Sequence, residues 1–211
     1  MAHTLVLATK NRGKLVELGA LFGGLGLELV LASDVLGREH EVDEDGATFE
    51  ANAIKKAREI ASLSSMMTLA DDSGLEVDAL GGAPGVRSAR YAHARATDAE
   101  NNAALLKALE ALAASDHAPV NAAARFRCVL ALVDPYSGGE PEVAAGVCEG
   151  TILRAPRGSG GFGYDPLFLM SGDTRTMAEL AEEEKNRVSH RALASQKMRE
   201  ILAQVVARRS A

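Results

Sequence analysis

The chain has 211 residues, which suits one domain or one domain with two lobes, and 47% of them are apolar, enough for a sizeable core. Its 23 Lys and Arg against 29 Asp and Glu leave a formal charge of −6, which argues against general nucleic-acid binding while allowing a local basic pocket. No apolar run approaches the length of a membrane span or resembles a signal peptide, so the expectation is a cytoplasmic protein with no membrane partner.

In chain order, residues 4–8 read as a strand. Lys14 to Phe22 read as a helix with Leu15, Leu18, Leu21 and Phe22 on one face, ended by Gly23 and Gly24. Leu27, Leu29 and Leu31 alternate like a second strand. Glu39 to Asp45 is an acidic loop, and Thr48 caps a helix carrying Phe49, Ala53, Ala57, Ile60 and Ala61. Met66 to Ala70 reads as a strand that DDSG ends, with a short separate strand over Leu75 and Val77. GGAPGVRSARY then reads as a glycine-rich loop. Thr97 and Glu100 form a capping box before NNAALLKALEALA. Phe126, Cys128, Leu130 and Leu132 alternate as a strand, with Val143 to Leu153 as its antiparallel neighbour. GSGGFGYDP is a loop, LFLM a strand, and Thr176 with Glu179 a second capping box. The last helix starts near Ser189 and carries Leu193, Met198, Ile201, Leu202 and Val205. Strands and helices mix without strict alternation, which points to an α/β fold with a mixed sheet. Cys128 and Cys148 lack metal-ligand spacing and read as two buried thiols.

Four stretches could carry chemistry. TKNRGK sits where a strand turns into a helix, a place that favours anions, and Lys14 adds a point charge. It is not a P-loop: Ala8 stands where the first glycine should be, and Leu15 replaces the magnesium-holding hydroxyl. A solvated turn with incidental charge is the alternative. GSGGFG matches the dinucleotide fingerprint letter for letter, but a strand pattern follows rather than a helix, so that reading fails. Its glycines would let backbone approach a ligand, with Phe162 or Tyr164 as a stacking face; a plain glycine loop is the alternative.

LADDSG places two adjacent carboxylates at a strand end. Their repulsion calls for a hard cation such as Mg²⁺ or for a catalytic base role, with Asp43 or Glu44 as a further ligand. The alternative is a turn in which Asp71 caps backbone and Asp72 faces water. Finally, Lys185, His190 and Arg191 are donors near the expected start of the last helix. A cation there opposes the helix dipole, which suggests a compensating partner; a solvated first turn is again the alternative.

TKNRGK, ATFEANA, LADDSGLEVDALGGAPGVRSARY, GGFGYDP and SHR, in this order, closely resemble the inosine triphosphate pyrophosphatase, or Ham1-like, family. The resemblance implies an elongated, two-lobed α/β domain over residues 1–211 with a mixed central sheet and a central cleft, usually a homodimer. It implies Mg²⁺-dependent hydrolysis of non-canonical purine nucleoside triphosphates (ITP, dITP, XTP) to the monophosphate and pyrophosphate. By the same resemblance, Thr9, Lys10, Asn11, Arg12, Gly13 and Lys14 hold the triphosphate. Asp72 is the proton acceptor and a magnesium ligand, Glu44 is the second ligand, and Ser73 touches substrate. Phe162, Gly163, Tyr164 and Asp165 flank the base, and Lys185, His190 and Arg191 contact the nucleotide. Two positions depart from the family pattern: Ala51 replaces a frequent glutamate, and Lys10 a usual small residue. A Maf-like pyrophosphatase for pyrimidine or modified nucleotides is one rival, and a nucleotide-binding protein without turnover is another. GGFGYDP and SHR argue against the first, Asp72 and Glu44 against the second.

Overall fold

A computed structural model describes residues 3–38, 40–116 and 122–210. Glu39 of the expected acidic loop lies outside the described residues. The elements in chain order are β1 (His3–Leu7), α1 (Arg12–Leu21), β2 (Leu27–Leu31), α2 (Ala32–Leu36), α3 (Phe49–Ser64), β3 (Thr68–Val77), α4 (Asp98–Asp116), β4 (Ala123–Val133), β5 (Glu142–Ile152), β6 (Phe168–Met170), α5 (Glu182–Val188) and α6 (His190–Ser210). One six-stranded sheet has the order β2-β1-β3-β4-β5-β6. β1 pairs in parallel with both β2 and β3, and β5 pairs antiparallel with β6, so the sheet is mixed, as expected. No helix among the described residues is long and apolar enough to cross a membrane.

Two compact units divide the chain: Met1–Asp72, Cys128–Gly146 and Arg191–Ala211 form the first, Ser73–Arg127 and Val147–His190 the second. In the first unit, Leu5, Leu7, Met67, Leu69, Cys128, Leu130 and Leu132 pack against Leu18 and Phe22 of α1 and Met198, Leu202 and Val205 of α6. Val6 faces the other way, with Ala32 of α2 and Ile60 of α3. Strand side chains alternate between faces, so the first unit's strands lie between α1 and α6 on one side and α2 and α3 on the other. The same alternation carries Asp71, in the row of Met67 and Leu69, toward α1 and α6, and Asp72, in the row of Thr68 and Ala70, toward α3. The second unit has its own core, with Leu75, Val77, Leu105, Phe126, Cys148 and Phe168 at its centre. Both cysteines are free and buried.

The caps read from the sequence form. Thr48 caps α3, accepting from Ala51 N at 3.1 Å, and Asn11, which the sequence reading did not mark as a cap, caps α1, accepting from Gly13 N at 2.8 Å. Glu100 accepts from Thr97 N at 2.7 Å, and Glu179 from Thr176 N at 2.7 Å.

Three expectations change. DDSG does not end a strand: β3 runs unbroken from Thr68 to Val77, because cationic side chains meet both carboxylates inside the fold. GGAPGVRSARY is not plain loop, since Gly85–Arg90 forms a 3-10 helix. EEEKNRV forms α5, so Lys185 lies on a separate short helix rather than near the start of the last one.

Gly74 stays in mid-strand because Ser88 crosses it. Ser88 Oγ accepts from Leu75 N at 2.9 Å and donates to Gly85 O at 2.7 Å. A Cβ on residue 74 would lie 2.7 Å from Gly85 O and 2.9 Å from Ser88 Cβ. Gly74→Ala should therefore lose roughly 1–3 kcal/mol, the usual cost of overpacking, in urea melts followed by circular dichroism. An unchanged midpoint would show that the crossing has room to move.

Candidate active site

The early turn is built around Asn11. Its N–H donates to Thr9 Oγ1 at 3.1 Å, and its side-chain oxygen takes the N–H groups of Gly13 and Lys14 at 2.8 and 3.4 Å. The cap thus uses two of the donors that an anion would otherwise find at a helix start. Lys10 and Arg12 are exposed, and Lys10 reaches Glu41 at 3.3 Å. Lys14 instead turns inward and pairs with Asp71.

Asp71 is the centre of a buried ion cluster. Arg191 Nε donates to its Oδ2 at 2.9 Å, Lys14 meets its Oδ1, and the Cys128 thiol donates to Oδ2 at 3.3 Å. Arg191 is 1% exposed and sends Nη1 to Glu17 Oε2 at 3.0 Å. Burial works against the Asp71 charge, but Arg191 and Lys14 outweigh it and hold the carboxyl well below its ordinary range. Burial and the Asp71 charge push the Cys128 thiol up, so it is not a nucleophile. Asp71 therefore does not cap backbone, and the partner that compensates Arg191 is Asp71 together with Glu17.

Asp72 sits on the opposite face, 8% exposed and not turned to water. Lys56 Nζ bridges Glu44 Oε1 at 2.7 Å and Asp72 Oδ1 at 3.0 Å, and also donates to the Asp71 carbonyl at 2.8 Å. Asp72 Oδ2 is buried without a hydrogen-bond partner. Burial raises the Asp72 pKa, Lys56 opposes the rise, and Glu44 adds to it; the result is a carboxylate more basic than usual. Helix α3 fixes the acidic loop beside it: Asn52 Oδ1 accepts from Gly46 N at 2.8 Å, Lys55 pairs with Asp45 at 2.7 Å, and His40 with Glu59 at 2.6 Å.

Among the described residues no cluster of three or more His, Cys, Asp or Glu is arranged to hold a metal. Two carboxylates and one spare buried oxygen nevertheless suit Mg²⁺, which takes one or two protein carboxylates and completes its shell with water and phosphate oxygens. Glu44 and Asp72 fit that role; Asp45 is tied to Lys55.

In the second unit, GSGGFGYDP is a loop with no helix after it. Gly160 N donates to Ala178 O at 3.0 Å. Asp165, 3% exposed, accepts from Phe162 N at 3.0 Å and pairs with Lys185. The Lys185 ammonium lies 4.6 Å from the centre of the Phe162 ring. Phe162 is 47% exposed, whereas Tyr164 is buried and donates its hydroxyl to Ser88 O at 2.9 Å. Of the two aromatics, Phe162 is the one with a face to offer. His190 is buried and stacks on Phe126, ring centres 4.8 Å apart. Ser73 follows Asp72 in β3 and is half-buried.

Lys56, Asn52 and Glu17 were not read from the sequence as site residues. Asn52 and Lys56 had a legible signal: they lie four apart on the same stripe of α3 as Phe49, Ala53 and Ile60, and are buried polar groups on an apolar face. Glu17 carried none.

The Ham1 family model matches residues 5–201. A dITP/XTP pyrophosphatase of Desulforamulus reducens is 51% identical over 198 residues, 94% of each chain. One from Geobacter sulfurreducens is 50% identical over 187 residues, 89% of this chain and 90% of its own. The solved structure of a HAM1 protein from Coxiella burnetii superposes with a TM-score of 0.87 at 41% identity, covering 96% of this chain and 99% of that one.

Breaking the Asp71 cluster should cost stability. Arg191→Ala would leave a fully buried carboxylate with Lys14 as its remaining side-chain cation, and should lose about 3–5 kcal/mol in urea unfolding. A loss under about 1 kcal/mol, the scale of a solvated pair, would mean that the pairing does not hold the fold.

Proposed function

The chain belongs to the Ham1 family, and on that footing we propose that it hydrolyses non-canonical purine nucleoside triphosphates, ITP, dITP and XTP, to the monophosphate and pyrophosphate. The observation that carries the reading is Asp72: a buried carboxylate with one unpartnered oxygen and raised basicity, next to Glu44 on a shared lysine. A protein that only binds nucleotides has no use for a base poised in this way.

In the proposed reaction, water attacks the α-phosphorus, the bond from that phosphorus to the α–β bridging oxygen breaks, and pyrophosphate leaves. Asp72 orients the water and accepts its proton. Lys56 holds Asp72 and Glu44 in place and keeps Asp72 ionised. Thr9 to Lys14 hold the phosphates, with Lys10 and Arg12 exposed to meet them and Lys14 exchanging Asp71 for the leaving group. Mg²⁺ held by Glu44 and Asp72 would neutralise phosphate charge and polarise the scissile linkage. Ser73 contacts the substrate.

Selectivity comes from the base. ITP and XTP carry an oxygen acceptor at purine C6, where ATP carries an amino donor. Phe162 offers a ring face, and Lys185 and His190 offer donors, so an amino group facing them leaves donors unpaired. Arg191 belongs to the same donor set, its charge balanced by Asp71 and Glu17. Rejection of GTP needs contacts at C2 and follows here from family membership alone. The same reading makes the protein a cytoplasmic homodimer; two free, buried thiols suit a reducing compartment.

A pyrophosphate-release assay over a nucleotide panel tests the proposal. ITP, dITP and XTP should exceed ATP in kcat/KM by ~10²-fold or more, the scale of a mismatched hydrogen-bonding site. Chelation of Mg²⁺ should abolish turnover. Equal rates on ATP and ITP would overturn the selectivity, and a preference for modified pyrimidine nucleotides would favour the Maf-like rival. Because Asp72 must be ionised to accept a proton, kcat should fall as acid protonates it, and raising Mg²⁺, which favours the carboxylate, should move that fall to lower pH. A rate that does not fall in acid would remove Asp72 as the base.

A further inference from the structure

Gly163 is held at both of its peptide groups. Its φ is +61°, a left-handed conformation that glycine adopts without strain. Its N–H donates to Asp98 Oδ2 at 2.7 Å, and its carbonyl accepts from Asn102 Nδ2 at 2.8 Å. Asp98 and Asn102 lie one turn apart on the same side of α4. The turn that carries Asp98 is itself fixed, because Thr97 and Glu100 complete a capping box at 2.7 and 3.3 Å.

Neither side chain is explained by packing. Asp98 is exposed, and a carboxylate there adds nothing to the core. Asn102 keeps its Oδ1 buried without a hydrogen-bond partner, a cost that a leucine of similar size would avoid. Local costs of this kind concentrate where a sequence serves function rather than stability. What the two residues share is the glycine between Phe162 and Tyr164. Tyr164 is already tied to Ser88, and Asp165 takes the Phe162 N–H. Lys185 lies against the Phe162 ring, and the grip on Gly163 fixes the peptide that follows it, so it is one of the restraints on the direction in which Phe162 points.

We propose that Asp98 and Asn102 are positioning residues for the base-facing loop. By gripping Gly163 they hold the Phe162 ring in place, and so set the affinity for the nucleotide base without touching it. This rests on the reading of Phe162 as a base-flanking residue. Preorganising a loop in its bound geometry lowers the cost of binding and leaves the chemical step alone, so the effect falls on KM rather than on kcat.

The test uses two readouts. The chain has no tryptophan and three tyrosines, so Phe162→Trp supplies a single tryptophan at the loop, excited selectively at the red edge where tyrosine does not absorb. In that background Asp98→Ala should make acrylamide quenching faster and anisotropy lower, while Asp98→Asn, which keeps an acceptor oxygen but loses the charge, should not. Comparing the two removes any effect of the charge on the α4 dipole. With Phe162 restored, Asp98→Ala should raise KM for ITP about 3- to 10-fold with kcat within about twofold, the mark of lost uniform binding. Asp98→Asn should recover most of the loss. Asn102→Leu should also raise KM, with a melting temperature equal to or above the parent's. Unchanged quenching in Asp98→Ala, or a fall in kcat at constant KM, overturns the proposal. If the parent enzyme does not turn over ITP, the assigned function fails, and the quenching comparison still decides whether Asp98 holds the loop.

Discussion

Two adjacent carboxylates lie buried in the middle of β3, and the first unit is organised around that constraint. Side chains alternate along a strand, so no single close cation can bond both the Asp71 and the Asp72 carboxylates, although the Lys56 charge is felt by both. Each needs its own, delivered from an opposite face of the sheet. Helices α1 and α6 bring Lys14 and Arg191 to Asp71, and α3 brings Lys56 to Asp72. The compensation is unequal. Asp71 is over-supplied and its acidity is increased, while Asp72 is under-supplied and its basicity is increased. Two residues of one type, side by side, thereby acquire opposite characters: one an anchor, the other a carboxylate more basic than usual and so suited to the proposed role of base.

The early run of cations takes on two meanings in this light. Lys14 serves the fold, where its partner is Asp71, as well as the proposed phosphate site. In the proposed reaction, a triphosphate that draws Lys14 away leaves Arg191 to hold Asp71. Arg191 can do so because its second hand is on Glu17, and a fully buried guanidinium with two carboxylates keeps its charge throughout. In the second unit the pattern repeats on a smaller scale. Lys185 is paired with Asp165 and lies against Phe162, so the cation nearest the exposed ring is held in place.

Much of this was legible in the sequence, and the failures have physical causes. Caps are local chemistry, so Thr48, Thr97 with Glu100, and Thr176 with Glu179 could be read directly. The alternation of β4 was equally plain. DDSG was misread as a strand end because Asp and Gly are poor strand formers. What keeps them in β3 is tertiary: distant cations for the aspartates, and a close crossing by Ser88 at Gly74. Helix α5 was missed because EEEKNRV has no apolar periodicity and no residue of it is buried. Asp71, Asp72, Glu44, Lys14 and Arg191 were singled out by type and order, but Lys56 and Glu17 were not, and neither was the pairing among them. Nothing local in the sequence says that Arg191 meets Asp71, 120 positions earlier.

The division of roles between Asp71 and Asp72 is the central claim, and one paired measurement tests it: urea unfolding and ITP turnover of Asp71→Asn and Asp72→Asn side by side. The two substitutions are isosteric and one residue apart. Asp72→Asn should cut kcat by at least ~10²-fold, as for loss of a general base, with an unfolding midpoint near the parent's. Asp71→Asn should lose several kcal/mol of stability, on the order of 3–5, because it leaves Arg191 and Lys14 without their shared anion. Near-normal turnover in Asp72→Asn, or an unshifted midpoint in Asp71→Asn, would contradict the account.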